Sequence, residues 1–366
     1  MSTREVYTKP VSEWSTAVPA TGAARFAWDY DDGRAQLLAL YQKGKDRQWD
    51  SARRIAWETE VDPHDALGMP DQSIAIHGTE IWQKMSEREH REVRRHVAAW
   101  QFSQFLHGEQ GAVVCASRVV ESVPDLDAKF YGATQVMDEA RHVEVFSRFL
   151  HEKLELVYPI NDQLWQLLAA TLADSRWDLP YLGMQVLVEG LALAAFGLIR
   201  DLTTRPLAKQ VLAYVMQDEA RHVAFGRLAL RDYYRQISDA ERREREDFVI
   251  EGCYLMRDRI QGIEVWESFG IPAARSRPLL AASPHVTAFR SLLFSRLVPC
   301  VRDIGLWSER VQQAYTDLGV IDLARQDLEA LMRQDEQVAE DLDGALSAQE
   351  AARRTEVDAV IAQAAE

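Results

Sequence analysis

The pentapeptide Asp-Glu-Ala-Arg-His occurs twice in this 366-residue chain, at 138–142 within QVMDEARHVEVF and at 218–222 within YVMQDEARHVAF. In each copy the glutamate and histidine stand three positions apart, Glu139 with His142 and Glu219 with His222. On a helix both side chains of each pair leave the same face. A single Glu-x-x-His recurs by chance on helical surfaces. These two lie in apolar periodic runs, where a charged side chain is costly unless it is paired or bound to a metal. A lone acid precedes each pair by thirty residues: Glu109 in FLHGEQGAVV before Glu139, and Glu189 in MQVLVEGLALAAF before Glu219. The two halves are therefore offset by eighty residues at every one of these positions. Thirty residues suffice for half a helix, a turn and half of the next, so each half predicts an antiparallel hairpin. Two hairpins face to face make a four-helix bundle with four carboxylates and two imidazoles in its core, the arrangement of a di-iron or di-manganese carboxylate site.

Charge balance favours a metal. Four buried carboxylates without cations repel one another and take up protons, whereas two divalent ions cancel the charge. Oxygen-rich ligation with one nitrogen per metal suits iron or manganese better than soft-metal chemistry, although affinity alone does not exclude zinc or copper. The other letters of the motif also find a use. Asp138 and Asp218 lie beside the ligand glutamates and can accept a hydrogen bond across the bundle from the non-ligating nitrogen of the opposite histidine, Asp138 from His222 and Asp218 from His142, which orients a metal-bound imidazole. Arg141 and Arg221 follow three residues later on the same face and can pair with these aspartates.

The rest of the chain reads as all-α. Twelve prolines and eighteen glycines fall mostly between periodic segments. Residues 1–80 form an irregular, tryptophan-rich arm expected to wrap over the body, with short helices around Gly33 to Lys43 and near Asp50, and with its tryptophans covering apolar surface. Residues 81–310 form the helical domain. Ser86 and Glu89 make a capping box, Asp125 and Asn161 precede further helices, and single helices are expected from Asp239 to Phe269 and from His285 to Trp307. Residues 311–366 form a charged C-terminal helical extension, either solvated or packed on a partner. A net charge of −15 argues against a nucleic-acid partner. Three cysteines without metal-ligand spacing point to a reducing compartment. With a polar N-terminus and no apolar run expected to span a membrane, these features predict a cytoplasmic protein.

The segments Phe105 to Val113, Gln135 to Phe146, Gln185 to Phe196 and Met216 to Phe225 together resemble the ferritin-like superfamily of di-iron carboxylate proteins, most closely the hydroxylase subunits of bacterial multicomponent monooxygenases and related di-iron oxygenases. The resemblance covers about residues 86 to 236. It implies a ferritin-like four-helix core, with Glu109, Glu139, His142, Glu189, Glu219 and His222 as metal ligands and catalytic centre, and Asp138 and Asp218 as their supporting partners. It implies two iron ions, with manganese an option at either position, and O2 as co-substrate.

Departures from the family patterns narrow the chemistry. Hydroxylases of this type place a threonine four residues after the third ligand glutamate; this chain has Leu193, preceded by Ala192. Ribonucleotide-reductase small subunits carry a radical tyrosine one turn beyond the first ligand histidine, where this chain has Phe146, leaving Tyr131 or Tyr214 for any radical stored by another route. Arylamine N-oxygenases add a histidine one turn before the last ligand glutamate, where this chain has Val215. Phe105, Ala112, Val113, Met184, Val188, Leu193 and Phe196 fall within two turns of Glu109 or Glu189 and are expected to line a dry substrate pocket. The expected function is an O2-activating di-iron oxygenase or oxidase acting on a small or medium apolar organic molecule, by hydroxylation, N-oxygenation or desaturation. The alternatives are a radical-generating subunit, an O2-dependent ligand oxidase or a ferroxidase that stores iron. No flavin, nicotinamide or iron–sulfur motif is present, so a separate reductase or ferredoxin is expected, and a homodimer is the expected assembly.

Overall fold

The computed structural model describes residues 15–19, 22–30 and 33–345, and every regular element among them is helical. Trp14 and the tail beyond residue 345 lie outside the described residues. Four segments build the core. Helix α1 (Ala35–Asp46) lies outside them. Helices α2 (Glu87–Ser122) and α3 (Leu126–Phe149) form the first hairpin. Helix α4 (Asp162–Ala173) packs beside them. A π-helical run, Tyr181–Val188, leads directly into α5 (Glu189–Leu202), which pairs with α6 (Pro206–Tyr233) as the second hairpin. Helix α7 (Asp239–Arg259) covers α4 and the π segment.

Local chemistry sets these boundaries. The Ser86 hydroxyl accepts from the Glu89 amide while the Glu89 carboxylate accepts from the Ser86 amide, a complete capping box at the start of α2. Asp125 caps α3, Asn161 caps α4, and Pro206 opens α6 at a position whose missing N–H has no helical partner anyway. A buried ion pair fixes the outer layer: Arg245 of α7 donates to both oxygens of Asp178, at 2.9 and 3.0 Å, and Tyr234 donates to the same carboxylate.

Several boundaries differ from the sequence reading. Helix α7 stops at Arg259 because Gly262 takes a left-handed backbone at φ 54°, and a separate helix, Ile263–Ser268, follows. The expected helix from His285 to Trp307 is two, α8 (Pro284–Leu293) and Leu297–Asp303. Tyr181–Val188 is π-helical rather than α-helical, which turns the side chains just before Glu189 out of α register. With the π run it continues, α5 is long and apolar enough, as Asp178–Leu202, to cross a membrane by length and composition, correcting the expectation that no such run exists; 89% of its most apolar window is buried inside the bundle.

The arm and the C-terminal region also pack differently from expectation. Trp49 and Trp57 are buried, but Trp28 stands 78% exposed, stacked on exposed Phe26, and covers nothing. The helix at 328–345 is not merely solvated: Leu328, Met332, Asp335 and Ala339 recur at heptad-like spacing as its buried stripe. Lys43 of α1 holds Glu336 at 2.7 Å, Arg296 holds Asp335 at 2.8 Å, and Tyr214 of α6 donates to Asp343.

Close approach of α6 to the π-helical run within the second hairpin depends on Gly226, where a Cβ would stand 2.5 Å from the Gln185 Cβ. Gly226→Ala is expected to cost about 1–3 kcal/mol of stability by overpacking. Gly344→Ala, at a site with nothing within 4 Å, is expected to cost none. Urea denaturation of the two variants against wild type checks the difference.

Candidate metal centre

Helices α2, α3, α5 and α6 each send side chains to one depth of the core. Glu109, Glu139, His142, Glu189, Glu219 and His222 are all buried there. One ligand atom from each of Glu109, Glu139, His142 and Glu219 can lie within 4.8 Å of the others, and the same holds for Glu139, Glu189 and His222. Glu139 thus reaches both groups. Both histidines turn Nδ1 inward: His142 Nδ1 lies 3.3 Å from Glu109 Oε2, 3.3 Å from Glu139 Oε2 and 3.0 Å from Glu219 Oε1. His222 Nδ1 lies 3.0 Å from Glu139 Oε1, close to it yet not aligned for a hydrogen bond.

The outer nitrogens face aspartates across the bundle. His142 Nε2 is 3.1 Å from Asp218 Oδ2, and His222 Nε2 is 3.3 Å from Asp138 Oδ2. The arginines tie the two aspartates together. Arg141 Nη2 donates to Asp138 at 2.6 Å and to Asp218 at 2.8 Å, and Arg221 donates to Asp218.

Three residues of this constellation escaped the sequence reading. Gln135 donates to Glu139 and Glu189, both at 3.0 Å, and so fastens two of the acids. Its signal was available: it lies one turn before Glu139 on the same helix face, the only buried amide there. Gln48 and Trp49 come from the arm. Gln48 Nε2 donates to Asp138 at 2.7 Å and the Trp49 indole N–H donates to Asp218 at 2.8 Å, with the Arg141 guanidinium 4.6 Å over the Trp49 ring. No local spacing marks either residue, because the contact depends on how α1 docks.

A cavity borders the acids, with Glu109, Glu189 and Glu219 in its wall. Phe105, Ala112, Met184, Val188 and Phe196 line it as expected, together with Trp100, Leu191, Ala192, Ala195 and Ile199. Val113 and Leu193 do not. At about 100° per residue, each lies more than a quarter turn from the face its helix presents to the cavity, and Leu193 is fully buried against core instead. The alanine at 192, not the leucine at 193, stands where a side chain of α5 meets the cavity. Phe146 is packed with Phe105 and Phe196, each 5.6 Å away between ring centres.

Burial dominates the electrostatics. It pushes Glu109 and Glu189 well above the usual carboxylate range, and the charge of Glu219 pushes them further. Burial works the same way on Glu139, but the charge of His222 and the hydrogen bond with His142 outweigh it and hold that acid low. Burial alone would lower the two histidines. Hydrogen bonds that Asp218, Glu109 and Glu139 accept raise His142 instead, and chiefly the charge of Glu139 raises His222. Both oxygens of Glu219, Oε2 of Glu189 and Nδ1 of His222 have no hydrogen-bond partner despite complete burial. Such orphaned lone pairs are costly, and a pair of divalent ions satisfies all of them at once, so the donor set fits the metals that its residue types suggest.

A sequence model of a family described as P-aminobenzoate N-oxygenase AurF matches residues 31–305. No curated protein matches. Among solved structures, the chain is similar to a mutant R2-like ligand-binding oxidase with an anaerobically reconstituted Mn/Fe cofactor, at 18% identity over 74% of this chain and 94% of that one, TM-score 0.45. It is also similar to an R2-like ligand-binding oxidase with an aerobically reconstituted metal cofactor after photoconversion, at 17% identity over 83% and 90%, TM-score 0.40.

Because Glu109, Glu189 and both histidines hold protons in the metal-free cluster, an incoming ion must displace them. Raised pKa values mean that this competition weakens as pH rises. Ferrous affinity is expected to climb with pH across the neutral range, with net proton release, measurable by anaerobic calorimetry in buffers of different ionisation enthalpy.

Proposed function

The chain belongs to the P-aminobenzoate N-oxygenase AurF family, whose model spans three quarters of it, and from this premise we propose that it is a non-haem di-iron oxygenase that uses O2 to oxidise the nitrogen of a small arylamine. The observation that carries the reading is the abutment of an apolar cavity on the buried carboxylate–imidazole cluster, with three of its glutamates in the cavity wall. Glu109, Glu139, His142 and Glu219 would hold one ion, and Glu139, Glu189 and His222 the other. When bound, two iron ions, or an iron and a manganese, supply the activation of O2.

The chain's own residues do the rest. Asp218 and Asp138 accept the Nε2–H of His142 and His222, which fixes the tautomer and leaves Nδ1 as the ligating atom. Arg141 and Arg221 neutralise those aspartates. Gln135 holds Glu139 and Glu189 in place by donating to both. The aromatic and aliphatic lining keeps water from the reacting face. Val215 occupies the position where the arylamine N-oxygenases described above carry an extra histidine, so the donor set is six residues rather than seven.

Electrons come from a separate reductase or ferredoxin. Trp49, stacked on Tyr214 with 5.0 Å between ring centres and bonded to Asp218, supports a route inward through Asp218 to His142. Homodimer formation is supported by exposed Phe26, Trp28, Tyr30 and Met137. Three buried, unpaired cysteines suit the cytoplasm. The same cluster would also serve hydroxylation or desaturation of a substrate lacking the amine. Phe146, sealed in its aromatic cluster, speaks against a tyrosyl radical beside His142.

Metal analysis is expected to give about two ions per chain. Glu139→Ala, which removes the acid reaching both positions, should lose most bound metal at unchanged far-UV circular dichroism, whereas Asp218→Asn should retain metal and slow turnover. Reaction of the ferrous protein with isotopically labelled O2 and an arylamine panel should place labelled oxygen on nitrogen. Labelled ring-hydroxylated products alone would replace N-oxygenation with hydroxylation, and mineral deposition at hundreds of irons per assembly without organic products would overturn the oxygenase reading.

A further inference from the structure

The cavity that borders the acids has a neighbour farther from the metals, walled by Leu67, Ile74, Val97, Ala98, Leu198 and Leu202 among others. Gln101 and Phe289 are the two described residues that stand in both walls. On α2 the walls form one stripe. Arg94, Val97, Ala98 and Gln101 face the outer cavity, and Gln101, Phe105, Gly108 and Glu109 face the inner one, at the three- and four-residue steps of a single helix face. On α5 the order runs the other way, with Ala192 and Ala195 in the inner wall and Leu198 and Leu202 in the outer one. A Cβ added at Gly108 would meet nothing within 4 Å, so α2 faces open space on the approach to Glu109. The two cavities thus lie end to end between α2 and α5, and the acids stand at the far end.

Helix α8 closes this path at the joint. Ala288 and Leu292, one turn apart, belong to the outer wall, Leu293 belongs to the inner wall, and Phe289, one turn before Leu293, belongs to both. Phe289 is half-buried and packs on the main core, whereas Val286 packs on a second apolar cluster that includes Trp100 and Trp266. Its ring turns about two torsions, so its rotamer sets the width between the cavities. Leu292 stands 51% exposed at the outer end. Packing does not account for a leucine there, and an apolar molecule entering the outer cavity would cover it. The charged groups nearby are spent on each other: Arg94 donates to both oxygens of Asp71, at 2.7 and 2.8 Å, and Arg205 pairs with Asp65. The entrance therefore selects by shape rather than by charge.

We propose that the outer cavity is the entrance through which a flat organic substrate reaches the cluster, and that Phe289 is the specificity-determining residue at the joint, admitting molecules by their width. This rests on the reading of the inner cavity as the substrate site, but not on the reaction carried out there. A third cavity, walled by Ile260, Val265 and Val286, also shares Phe289 and Trp100 with the inner one. Two fixed indoles hold that side shut: Trp100 donates to Glu264 and Trp266 to the Gln261 carbonyl, both at 3.0 Å.

The test is stopped-flow mixing of the metal-loaded protein, without O2, with two light-absorbing arylamines of different width, p-nitroaniline and its naphthalene counterpart. Binding is followed by quenching of tryptophan fluorescence, since Trp100 stands in the inner wall. The wild type should admit the narrow probe about tenfold faster than the wide one, the scale of an association that waits on a conformational step. Phe289→Ala should bring the two rates together. Ala288→Trp, at an exposed position of the outer wall alone, should slow entry and exit of both probes by one common factor and leave Kd unchanged, because a group met only in passing alters the barrier and not the bound state. Val286→Phe, which fills the third cavity, should change neither rate. Equal rates for the two probes in wild type, binding of neither, a width preference that survives in Phe289→Ala, or slowing by Val286→Phe with none by Ala288→Trp would overturn the proposal; the wild-type comparison decides even if a variant misfolds. Gated entry of the probes with no oxidised nitrogen once O2 and an arylamine panel are supplied would overturn the reaction and not the gate. N-oxygenation by a protein whose probe rates ignore Phe289→Ala and Ala288→Trp would overturn the gate and not the reaction.

Discussion

Charge neutrality inside an apolar bundle governs the rest of this structure. Six acids, Glu109, Glu139, Glu189, Glu219, Asp138 and Asp218, are buried at one level with two guanidiniums, Arg141 and Arg221. Two of the acids are balanced by the arginines. Four negative charges remain on the glutamates, three of which face the cavity. Protons on Glu109, Glu189 and the imidazoles balance the metal-free state, and two divalent ions balance the loaded one. Every other element follows from holding this charge still: the hairpins bring the acids to one depth, Gln135 fastens two of them, and the aspartate–arginine layer seals the side away from the cavity.

The eighty-residue repeat builds a nearly two-fold core, and function enters where the repeat is broken. Phe105 corresponds to Gln185, Gln135 to Val215 and Phe146 to Gly226. On one side Gln135 and Gln185 fill the space beside Glu189 with amides, and Gly226 makes room for them. On the other, Phe105, Phe146 and Phe196 interlock, and the cavity opens past Phe105. The two halves of the cluster therefore differ in polarity as well as in access.

What could be read from the sequence was what helical periodicity and capping encode. The spacing of Glu109, Glu139 and His142, repeated at Glu189, Glu219 and His222, is a statement about helix faces, and Ser86, Asp125 and Asn161 are local hydrogen-bonding signals. The π run at Tyr181–Val188 has no such spacing signature, and Leu193 was misplaced because nearness along the chain to Glu189 does not fix which face of α5 meets the cavity. Gln48 and Trp49 meet the centre only through docking of the arm that follows α1, which depends on the whole packed surface rather than on any short spacing.

Gln48 and Trp49 bear on where the domain begins. By chain position they belong to the irregular leader, yet they donate to the two aspartates that orient the histidines. A fragment starting at residue 81 would retain all six acid and imidazole donors and the four core helices, but Asp138 and Asp218 would each lose a donor and gain a face toward water. Minimal-scaffold engineering on this chain must therefore carry α1 along: the smallest transplantable unit is the bundle together with a segment that a parsing by helices alone would discard.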